Sequence, residues 1–441
     1  MGLISDSVLK HVSVRATLES LAQVFADYPD RDFQVRLWDG SSWGASANPR
    51  FTLVVKHPNA LRQMLVSPSE LTLGECYIRD ELDVEGDMVA AVEIGDYLLA
   101  HKGRSLPATL RFASILGKLP ARHEEQAPEG ETDHTPPHSQ ERDRRAIGYH
   151  YDLPPEFFAL WLDPLKIYSC AYFESKDCDL ATAQARKLDY ICHKLRLSPG
   201  DRLLDIGCGW GGMLIHAASH YGVQALGITL SVRQAEVARQ RIRELGLNHR
   251  CRVEVCDYRD LELEEQFDKI TSIGMFEHVG ERQLPEYFAR VQGLLRAGGV
   301  FVNTGISASA TYRRRGPSFI DRYVFPDGEL VPISTSLLAA EKCNLEVRDV
   351  ESLREHYALT LRHWLRRLEA NAEGATRWTN QKTYRIWRLY MAASVHAFSI
   401  GRVNLYQALL VKPLRGSSGM PLTRADWYRD WQADSEAQAR S

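Results

Sequence analysis

Short apolar runs alternate with amphipathic stretches between about residues 200 and 303 of this chain. The apolar runs predict strands that are buried on both faces, and apolar positions three or four apart predict helices between them. This alternation favours a doubly wound α/β fold, with a parallel sheet and helices on both faces. The predicted strands are 203–206, 223–228, 252–256, 269–273 and 300–303, and the predicted helices include 179–195, 213–218, 231–245 and 284–295.

The amino-terminal region has a different pattern. Helical apolar spacing at 8–26 is followed by strand-like segments at 32–38 and 51–55. This mixture predicts a small α+β domain over residues 1–115. We find no catalytic constellation in it and expect a packing or docking role.

A charged, proline-bearing segment at 116–147 predicts a flexible linker, because it has too little apolar surface to offset the entropy cost of ordering. We expect its histidines His123, His134 and His138 to be solvated and not to bind a metal. The predicted organisation is an amino-terminal domain 1–115, a linker 116–147, a main domain 148–415 and a tail 416–441.

Aromatic residues are frequent from 353 to about 411, where the spacing predicts a helical region. A helical cap lined with apolar rings over the ligand-binding edge of the sheet would suit a long hydrocarbon substrate. The adjacent arginines Arg313, Arg314 and Arg315 are either a solvated loop or a patch that binds lipid phosphate.

Composition narrows the functional classes. The 441 residues carry a formal net charge of -3, which argues against a nucleic-acid binder. None of the eight cysteines forms a CxxC pair, so neither a metal site nor a disulfide framework is expected. No apolar run reaches the length of a membrane span, so we expect a cytoplasmic protein whose membrane contact is peripheral and transient.

A glycine-rich turn follows the first strand of the predicted sheet, in the segment Asp-Ile-Gly-Cys-Gly-Trp-Gly-Gly that begins at Asp205. Glycines there permit a tight turn and let a ligand approach bare backbone N–H groups. The second strand ends at Thr229 without the ribose-binding acid of dinucleotide sites. A carboxylate before the turn suits a ligand with a cationic end, which favours S-adenosylmethionine over NAD, although the turn alone would serve either.

Several ordered motifs resemble the cyclopropane fatty acid synthases and the related mycolic acid cyclopropane synthases. The resemblance runs from about residue 148 to 410 and is looser in the amino-terminal region. It implies a class I methyltransferase that transfers a methyl group from S-adenosylmethionine to the cis double bond of a phospholipid acyl chain, through a carbocation. The motifs are His-Tyr-Asp at 150–152, Tyr-Ser-Cys-Ala-Tyr-Phe at 168–173, the glycine segment at 205–212 and Met-Phe-Glu-His-Val-Gly at 275–280.

The resemblance also implies roles for individual residues. The S-adenosylmethionine site falls on Tyr168, Ser169, Gly207, Gly209, Thr229, Gln234 and Asp257, with Asp205 supporting the turn. The family binds a bicarbonate ion thought to act as the base, and its ligands there fall on Cys170, Glu277, Tyr357 and the backbone of Ile306. His150 falls close to the active site.

Three of the implied ligands also have a purely structural interpretation. Cys170 is alternatively a buried thiol, Glu277 a helix cap and Tyr357 a core residue. The chain also departs from the family pattern, because Asn-Thr-Gly-Ile at 303–306 stands where the family has His-Thr-Ile. Either Asn303 or Thr304 replaces that histidine, and neither carries a proton as imidazole does.

Three functional hypotheses follow. The first is a synthase of cyclopropane acyl chains acting at the inner membrane surface, in which a homodimer is possible. The second is a methyltransferase of the same fold whose product is a methyl-branched or methylene acyl chain. The third is a lipid-binding protein that has kept the fold without the chemistry.

Overall fold

The computed structural model describes residues 14–45, 47–66, 69–100, 135, 138–262, 266–311 and 318–428. These residues form two compact units. The first contains the described residues up to 134 with those in 314–324 and 379–396, and the second contains 135–313, 325–378 and 397–441. Several residues singled out above lie outside the described residues, namely His123, His134, Arg313, Arg314 and Arg315.

An α+β arrangement forms the first unit, as the sequence pattern predicts. Its elements begin with α1 Val14–Val24, β1 Phe33–Arg36, β2 Ser42–Gly44, β3 Phe51–Val55, α2 Pro58–Val66, α3 Glu70–Ile78, β4 Leu82–Gly86 and α4 Met88–Ala100. The strands lie in the order β2-β1-β3-β4, and only β1 and β3 are parallel. The side chains of Phe33, Val35, Phe51 and Val55 are buried and form part of its core.

A sheet of seven described strands forms the centre of the second unit. Its strands are β5 Arg202–Ile206, β6 Gln224–Thr229, β7 Cys251–Val255, β8 Phe267–Ile273, β9 Leu295–Ala308, β10 Glu346–Ser352 and β11 Val403–Val411. They lie in the order β10-β11-β9-β8-β5-β6-β7. Strands β5 to β9 are parallel to one another, whereas β11 is antiparallel to both β9 and β10.

Helices cover both faces of this sheet. They are α5 Gln140–Tyr151, α6 Pro155–Ala159, α7 Leu180–Leu195, α8 Gly212–Tyr221, α9 Val232–Glu244, α10 Leu284–Leu294, α12 Ile333–Lys342, α13 Arg354–Ala370 and α14 Ala372–Trp378. Helix α11 (Phe319–Tyr323) belongs to the first unit, as does α15 (Gln381–Ser399) up to His396. One apolar core packs α7, α8 and α9 against the sheet, and another packs α10 against the opposite face. The doubly wound fold is thereby confirmed.

Two expectations about local structure are wrong. The predicted linker is helical from Gln140, since Ser139 accepts a capping bond from the Arg142 N–H and the helix continues to Tyr151. His138 is mostly buried: its Nδ1 lies 3.1 Å from the carbonyl oxygen of His278, and its ring lies beside Asp143. The many charged residues of this segment predict an exposed loop, and the sequence does not indicate the contact of His138 with the distant His278.

The region from 353 to 411 is only partly helical. It ends in β11, which pairs along its whole length with β9 and so completes the sheet. The apolar run from Leu405 to Val411 is nearly continuous and lies between two strands, which is the pattern of a buried strand. A turn at Gly401, where φ is +70°, separates it from the last helix.

Candidate active site

The glycine turn between β5 and α8 adopts the left-handed backbone conformation that its composition predicts. Gly207, Gly209 and Gly211 all have positive φ angles, of 79°, 53° and 79°. The N–H groups of Gly207 and Cys208 donate to the carbonyl oxygen of Ile228 at the end of β6. A Cβ on Gly209 would meet nothing within 4 Å, so this glycine borders open space. The turn thus presents bare backbone at the carboxyl edge of the sheet.

A cleft lies at this edge, within the second unit, and we call it the main cleft. Helix α5 contributes Asp143 and Tyr151 to its wall, and α7 contributes Lys187. All the residues that the sequence assigned to the cofactor line this one space: Tyr168, Ser169, Asp205, Gly207, Gly209, Thr229, Gln234 and Asp257.

Two of these residues form a pair on the wall of the main cleft. The Thr229 hydroxyl at the end of β6 donates to Oε1 of Gln234 in the first turn of α9, at 2.9 Å. Ser231 caps α9 by accepting from the Gln234 N–H. The cap and the pair fix the Gln234 amide at the edge of the cleft.

Asp205 lies buried beneath the glycine turn. Its Oδ1 accepts a hydrogen bond of 2.7 Å from the Thr271 hydroxyl of β8. Burial raises the pKa of the Asp205 carboxyl to about 6, although Thr271 and the nearby Lys187 oppose that rise. A cationic ligand group at this place would therefore favour the ionised carboxylate.

Asp257 is held on the far side of the cleft by Arg259. The guanidinium donates to both carboxylate oxygens of Asp257, at 2.9 and 2.7 Å, and also to Asp143 of α5 at 2.8 Å. The two aspartates surround the guanidinium and raise its pKa, although burial opposes the rise. Arg259 therefore ties helix α5 to the end of β7.

Glu277 lies in a short 3-10 helix after β8, between Met275 and His278, both of which line the main cleft. Its Oε1 accepts a bond of 2.8 Å from the Ile306 N–H of β9. Its Oε2 is buried and has no hydrogen-bond partner among the described residues. Burial raises the pKa of this carboxyl to about 7, and the Ile306 N–H partly opposes that rise. Glu277 does not cap the helix that follows, which excludes its structural interpretation.

Close packing between β9 and the short helix that carries Glu277 requires glycine at position 305. A Cβ there would overlap the buried ring of Phe276, the residue before Glu277. The missing side chain lets the short helix pack directly on β9, which brings the Glu277 carboxylate to the Ile306 N–H.

Asn303 and Thr304 project from opposite faces of β9. Asn303 accepts a hydrogen bond of 3.1 Å from the Tyr287 hydroxyl of α10, so its side chain lies on the face that α10 covers. Thr304 accepts a bond of 3.2 Å from Nε2 of Gln407, its partner on β11. Counting two residues back from Ile306, as in the family's His-Thr-Ile, leads to Thr304, whereas Asn303 would need a one-residue shift. Gln407 Oε1 is buried without a partner among the described residues.

Cys170 and Tyr357 are both buried, with Tyr357 in the first turn of helix α13 and Cys170 in a segment that is bonded to the same helix. The Cys170 thiol donates to the Ala171 carbonyl oxygen at 3.2 Å, and burial raises its pKa well above the usual range. The Ala171 N–H donates to Thr360 of α13. Tyr357 packs its ring against Trp364 and Phe398. These contacts hold a protonated thiol and an aromatic ring in place.

An aromatic cluster surrounds the entrance side of Tyr168. His150 Nε2 lies 3.2 Å from the Tyr168 hydroxyl, and its ring centroid lies 4.0 Å from that of Phe325. Tyr168 also contacts Trp161 and Trp364, with centroids 5.2 and 5.1 Å apart. Such ring faces stabilise nearby positive charge.

Comparison with known proteins decides what this arrangement represents. The sequence profile of the mycolic acid cyclopropane synthetase family matches residues 138–408. The chain belongs to this family. The profile of a domain family of unknown function matches residues 20–95, within the first unit.

Individual relatives support the assignment. A probable fatty acid methyltransferase of Pseudomonas putida is 42% identical over 401 residues, which are 90% of this chain and 96% of that protein. The cyclopropane-fatty-acyl-phospholipid synthase of Escherichia coli K12 is 38% identical over 261 residues, 59% of this chain and 66% of that protein. A mycolic acid cyclopropane synthase solved with SAH and CTAB superposes with a TM-score of 0.58, at 34% identity, over 60% of this chain and 97% of that chain.

These similarities confirm the resemblance on which the sequence analysis relied. The chain is an S-adenosylmethionine-dependent methyltransferase of the class I fold. Its assignment as an enzyme sets aside the non-catalytic alternative. No helix among the described residues is both long and apolar enough to cross a membrane.

Sequence reasoning missed several side chains that the fold brings to the site. Lys187 and Gln184 lie on the buried face of α7, where a lysine among apolar positions is an unusual signal that could have identified it. Thr271 and Gln407 carry no local signal, because their partners Asp205 and Thr304 are distant in the chain, as is Asp143, the second partner of Arg259.

Proposed function

We propose that this methyltransferase adds a methyl group from S-adenosylmethionine to the cis double bond of an unsaturated acyl chain in membrane phospholipid, and that ring closure gives a cyclopropane. The observation that supports this most is the buried Glu277 carboxyl, which has one oxygen fixed by Ile306 and the other without a partner among the described residues. It lies next to residues of the main cleft, where the methyl donor would bind.

The main cleft is the proposed cofactor site. The glycines of the turn leave room for the cofactor against the backbone, and Asp205 supplies negative charge near its cationic methionine end. Thr229 and Gln234 offer a hydroxyl and an amide at the edge of β6, and Asp257 offers a carboxylate at the end of β7. Tyr168 and Ser169 close the wall near the expected position of the methionine group.

The chemistry needs few reactive groups. A sulfonium is already an activated methyl donor, so the protein has only to align the alkene, exclude water and stabilise a carbocation. The ring of Tyr168 lines the main cleft and is available for that stabilisation, and the buried rings of Trp161 and Trp364 pack against it. Loss of a proton from the new methyl group then closes the ring.

The bicarbonate ion implied by the family fits the residues present. Glu277 Oε2 lacks a partner among the described residues, and its carboxyl, with a pKa raised to about 7, can carry the proton needed to bond an anion. We propose that Glu277, Cys170, Tyr357 and the backbone at Ile306 would hold the ion, with His150 nearby. When bound, bicarbonate supplies the base for the final proton transfer.

A second product has a specific observation in its favour. On the unshifted spacing, Thr304, which is bonded to Gln407, stands at the position of the family histidine, and neither of these side chains takes up a proton as imidazole does. Without imidazole to assist ring closure, a hydride shift from the methyl-bearing carbon to the adjacent cationic carbon moves the charge, and loss of a proton from the methyl group then leaves a methylene chain, which a separate reduction would convert to a methyl branch. The Pseudomonas putida relative is described as a probable fatty acid methyltransferase, not as a synthase of rings.

The location and assembly of the enzyme belong to the same proposal. A phospholipid substrate requires at least transient contact with the inner membrane surface, and the first unit is the candidate for a lipid-associated docking domain. We propose residues 1–115 for that domain and 148–415 for the catalytic one. A cytoplasmic location and a homodimer remain predictions.

The test is to incubate the protein with unsaturated phospholipid vesicles and methyl-labelled S-adenosylmethionine and to analyse the acyl chains by mass spectrometry. Label in chains that resist mild hydrogenation supports the cyclopropane. Label in chains that take up hydrogen as an alkene supports the methylene product instead. Absence of labelled acyl chains, from protein that still binds the cofactor, would contradict the proposal.

A further inference from the structure

Helix α7 places a buried ammonium group against the main cleft. Lys187 is 3% exposed and lines the cleft, and its Nζ donates to the Ser169 hydroxyl at 2.9 Å. That is its single hydrogen bond among the described residues. A buried ammonium has three protons to donate, and one neutral acceptor leaves most of its charge uncompensated.

The other charged groups of the cleft do not neutralise it directly. Arg259, a second cation of the cleft, is held between Asp257 and Asp143 and satisfies both of these carboxylates. Asp205 accepts from Thr271 and interacts with Lys187 only through space. Burial lowers the pKa of Lys187 to about 8, while Cys170, Asp163 and Asp205 oppose that change.

We infer that Lys187 is the counter-charge for the carboxylate of the methionine group of S-adenosylmethionine. The inference rests on the proposed use of the main cleft as the cofactor site. The methionine group carries an anionic carboxylate and a cationic amine, and the cleft offers Lys187 and Asp205 to match them. An ion-paired, hydrogen-bonded carboxylate satisfies a buried ammonium that one hydroxyl does not.

Ser169 is the natural bridge in this arrangement. Its hydroxyl accepts from Lys187 and remains able to donate to the carboxylate. Gln184, one turn earlier on α7, donates to the Ser169 carbonyl oxygen at 2.8 Å and fixes the backbone there. Helix α7 thus orients Ser169 from two directions.

The experiment compares two ligands that differ in the amino-acid part. S-adenosylhomocysteine carries the carboxylate, whereas 5′-deoxy-5′-methylthioadenosine has the same nucleoside and no carboxylate. Calorimetry gives the dissociation constant of each for the full-length protein and for Lys187→Met. We expect the affinity for S-adenosylhomocysteine to fall about tenfold or more, as for a lost charge-assisted bond, and the affinity for methylthioadenosine to change less than about threefold.

Lys194 offers a matched control. It lies two turns further along the same helix, is equally buried and pairs with Glu351 outside the cleft. Lys194→Met should leave the ratio of the two affinities unchanged, even if it lowers stability. Lys187→Arg, which keeps the charge, should retain part of the preference for S-adenosylhomocysteine.

Equal losses for both ligands in Lys187→Met, or no loss for either, would overturn the inference. These outcomes are independent of the lipid assay. A protein that methylates acyl chains while Lys187→Met keeps the wild-type affinity ratio refutes the role of Lys187 alone. A selective loss in a protein that labels no acyl chain supports Lys187 and refutes the proposed substrate.

Discussion

The main cleft and the surroundings of Glu277 are built in different ways. The cleft takes much of its shape from consecutive residues, since the turn after β5 carries Gly207, Gly209 and Gly211 at positive φ. The second region, which we call the Glu277 group, consists of Glu277, Ile306, Thr304 and Gln407 and joins three separate segments. A local motif therefore reports the first region well, whereas the second depends on side chains that only the folded sheet brings together.

The two regions serve different parts of the proposed reaction, namely binding of the methyl donor and the steps on the acyl chain. The cleft would bind a methyl donor that many acceptors share, and its features follow from turn geometry and strand ends. The Glu277 group includes Thr304, one of the two candidates for the position of the family histidine, and its partner Gln407 lies about a hundred residues away on β11. Changes in the Glu277 group should alter turnover or product while cofactor affinity stays constant, and changes in the cleft should do the reverse.

The largest expected effect comes from Glu277→Gln. The amide keeps the shape but cannot donate or release a proton as the carboxyl does, so turnover should fall about 100-fold or more. The affinity for S-adenosylhomocysteine should stay within about twofold, because Glu277 is outside the cleft lining. Turnover and calorimetry check this, and Glu281→Gln, at an exposed neighbouring acid, serves as the control. Unchanged turnover would remove Glu277 from the site.

The next effect concerns stability and pH. Burial raises the pKa of Glu277 from its ordinary value of 4.5 to about 7 in the folded protein, so folding favours the protonated form. Its contribution is complete below about pH 4.5 and is lost as pH rises through about 7, a change of about 3 kcal/mol. As pH rises through that window, the unfolding free energy of wild type should therefore fall relative to that of Glu277→Gln. Urea titrations across that range measure it, and a constant difference would contradict the burial argument.

A third change tests which residue controls the product. Thr304→His, combined with Gln407→Ala to make room, restores an imidazole to the family position. We expect the share of cyclopropane among the labelled chains to rise several-fold, since a proton-carrying group again faces the site. Asn303→Ser is the control, because it breaks the bond from Tyr287 on the opposite face of β9. A product ratio that responds to Asn303 and not to Thr304 would reverse the assignment.

The smallest effect is expected within the cleft. Thr271→Val removes the hydroxyl that donates to Asp205 and nearly keeps the side-chain shape. The loss of one hydrogen bond to a carboxylate should weaken S-adenosylhomocysteine binding about fivefold without changing the product ratio. Calorimetry and lipid analysis of the same variant test both halves of this expectation. An altered product ratio would show that the two regions are coupled.

The sequence predicted the parallel part of the sheet because its strands are continuous apolar runs separated by helical patterns. It missed β11, where a similar run followed a long helical stretch and was read as its continuation. The region around His138 was misjudged because its charges are satisfied by distant groups, among them the His278 carbonyl oxygen.

The candidate site also contains residues that local motifs indicate and residues that only the fold brings together. Residues in motifs, such as Ser169 and Asp205, line the main cleft as the resemblance implied. The choice of Thr304 over Asn303 stays a prediction that depends on the register of β9 against Glu277, since alternation along a strand reverses with a shift of one residue. Lys187 and Gln407 act through partners that no spacing in the chain encodes.

The most direct test of the central claim uses S-adenosylmethionine with a fully deuterated methyl group and a phospholipid with one cis double bond per chain. If the methyl group adds to the alkene and then loses a proton, the acyl chain gains a carbon that keeps two of its three deuterium atoms. Mass spectrometry of the released chains should show that pattern. Retention of all three deuterium atoms would contradict proton loss from the new methyl group, and label confined to the headgroup would contradict methyl transfer to the double bond.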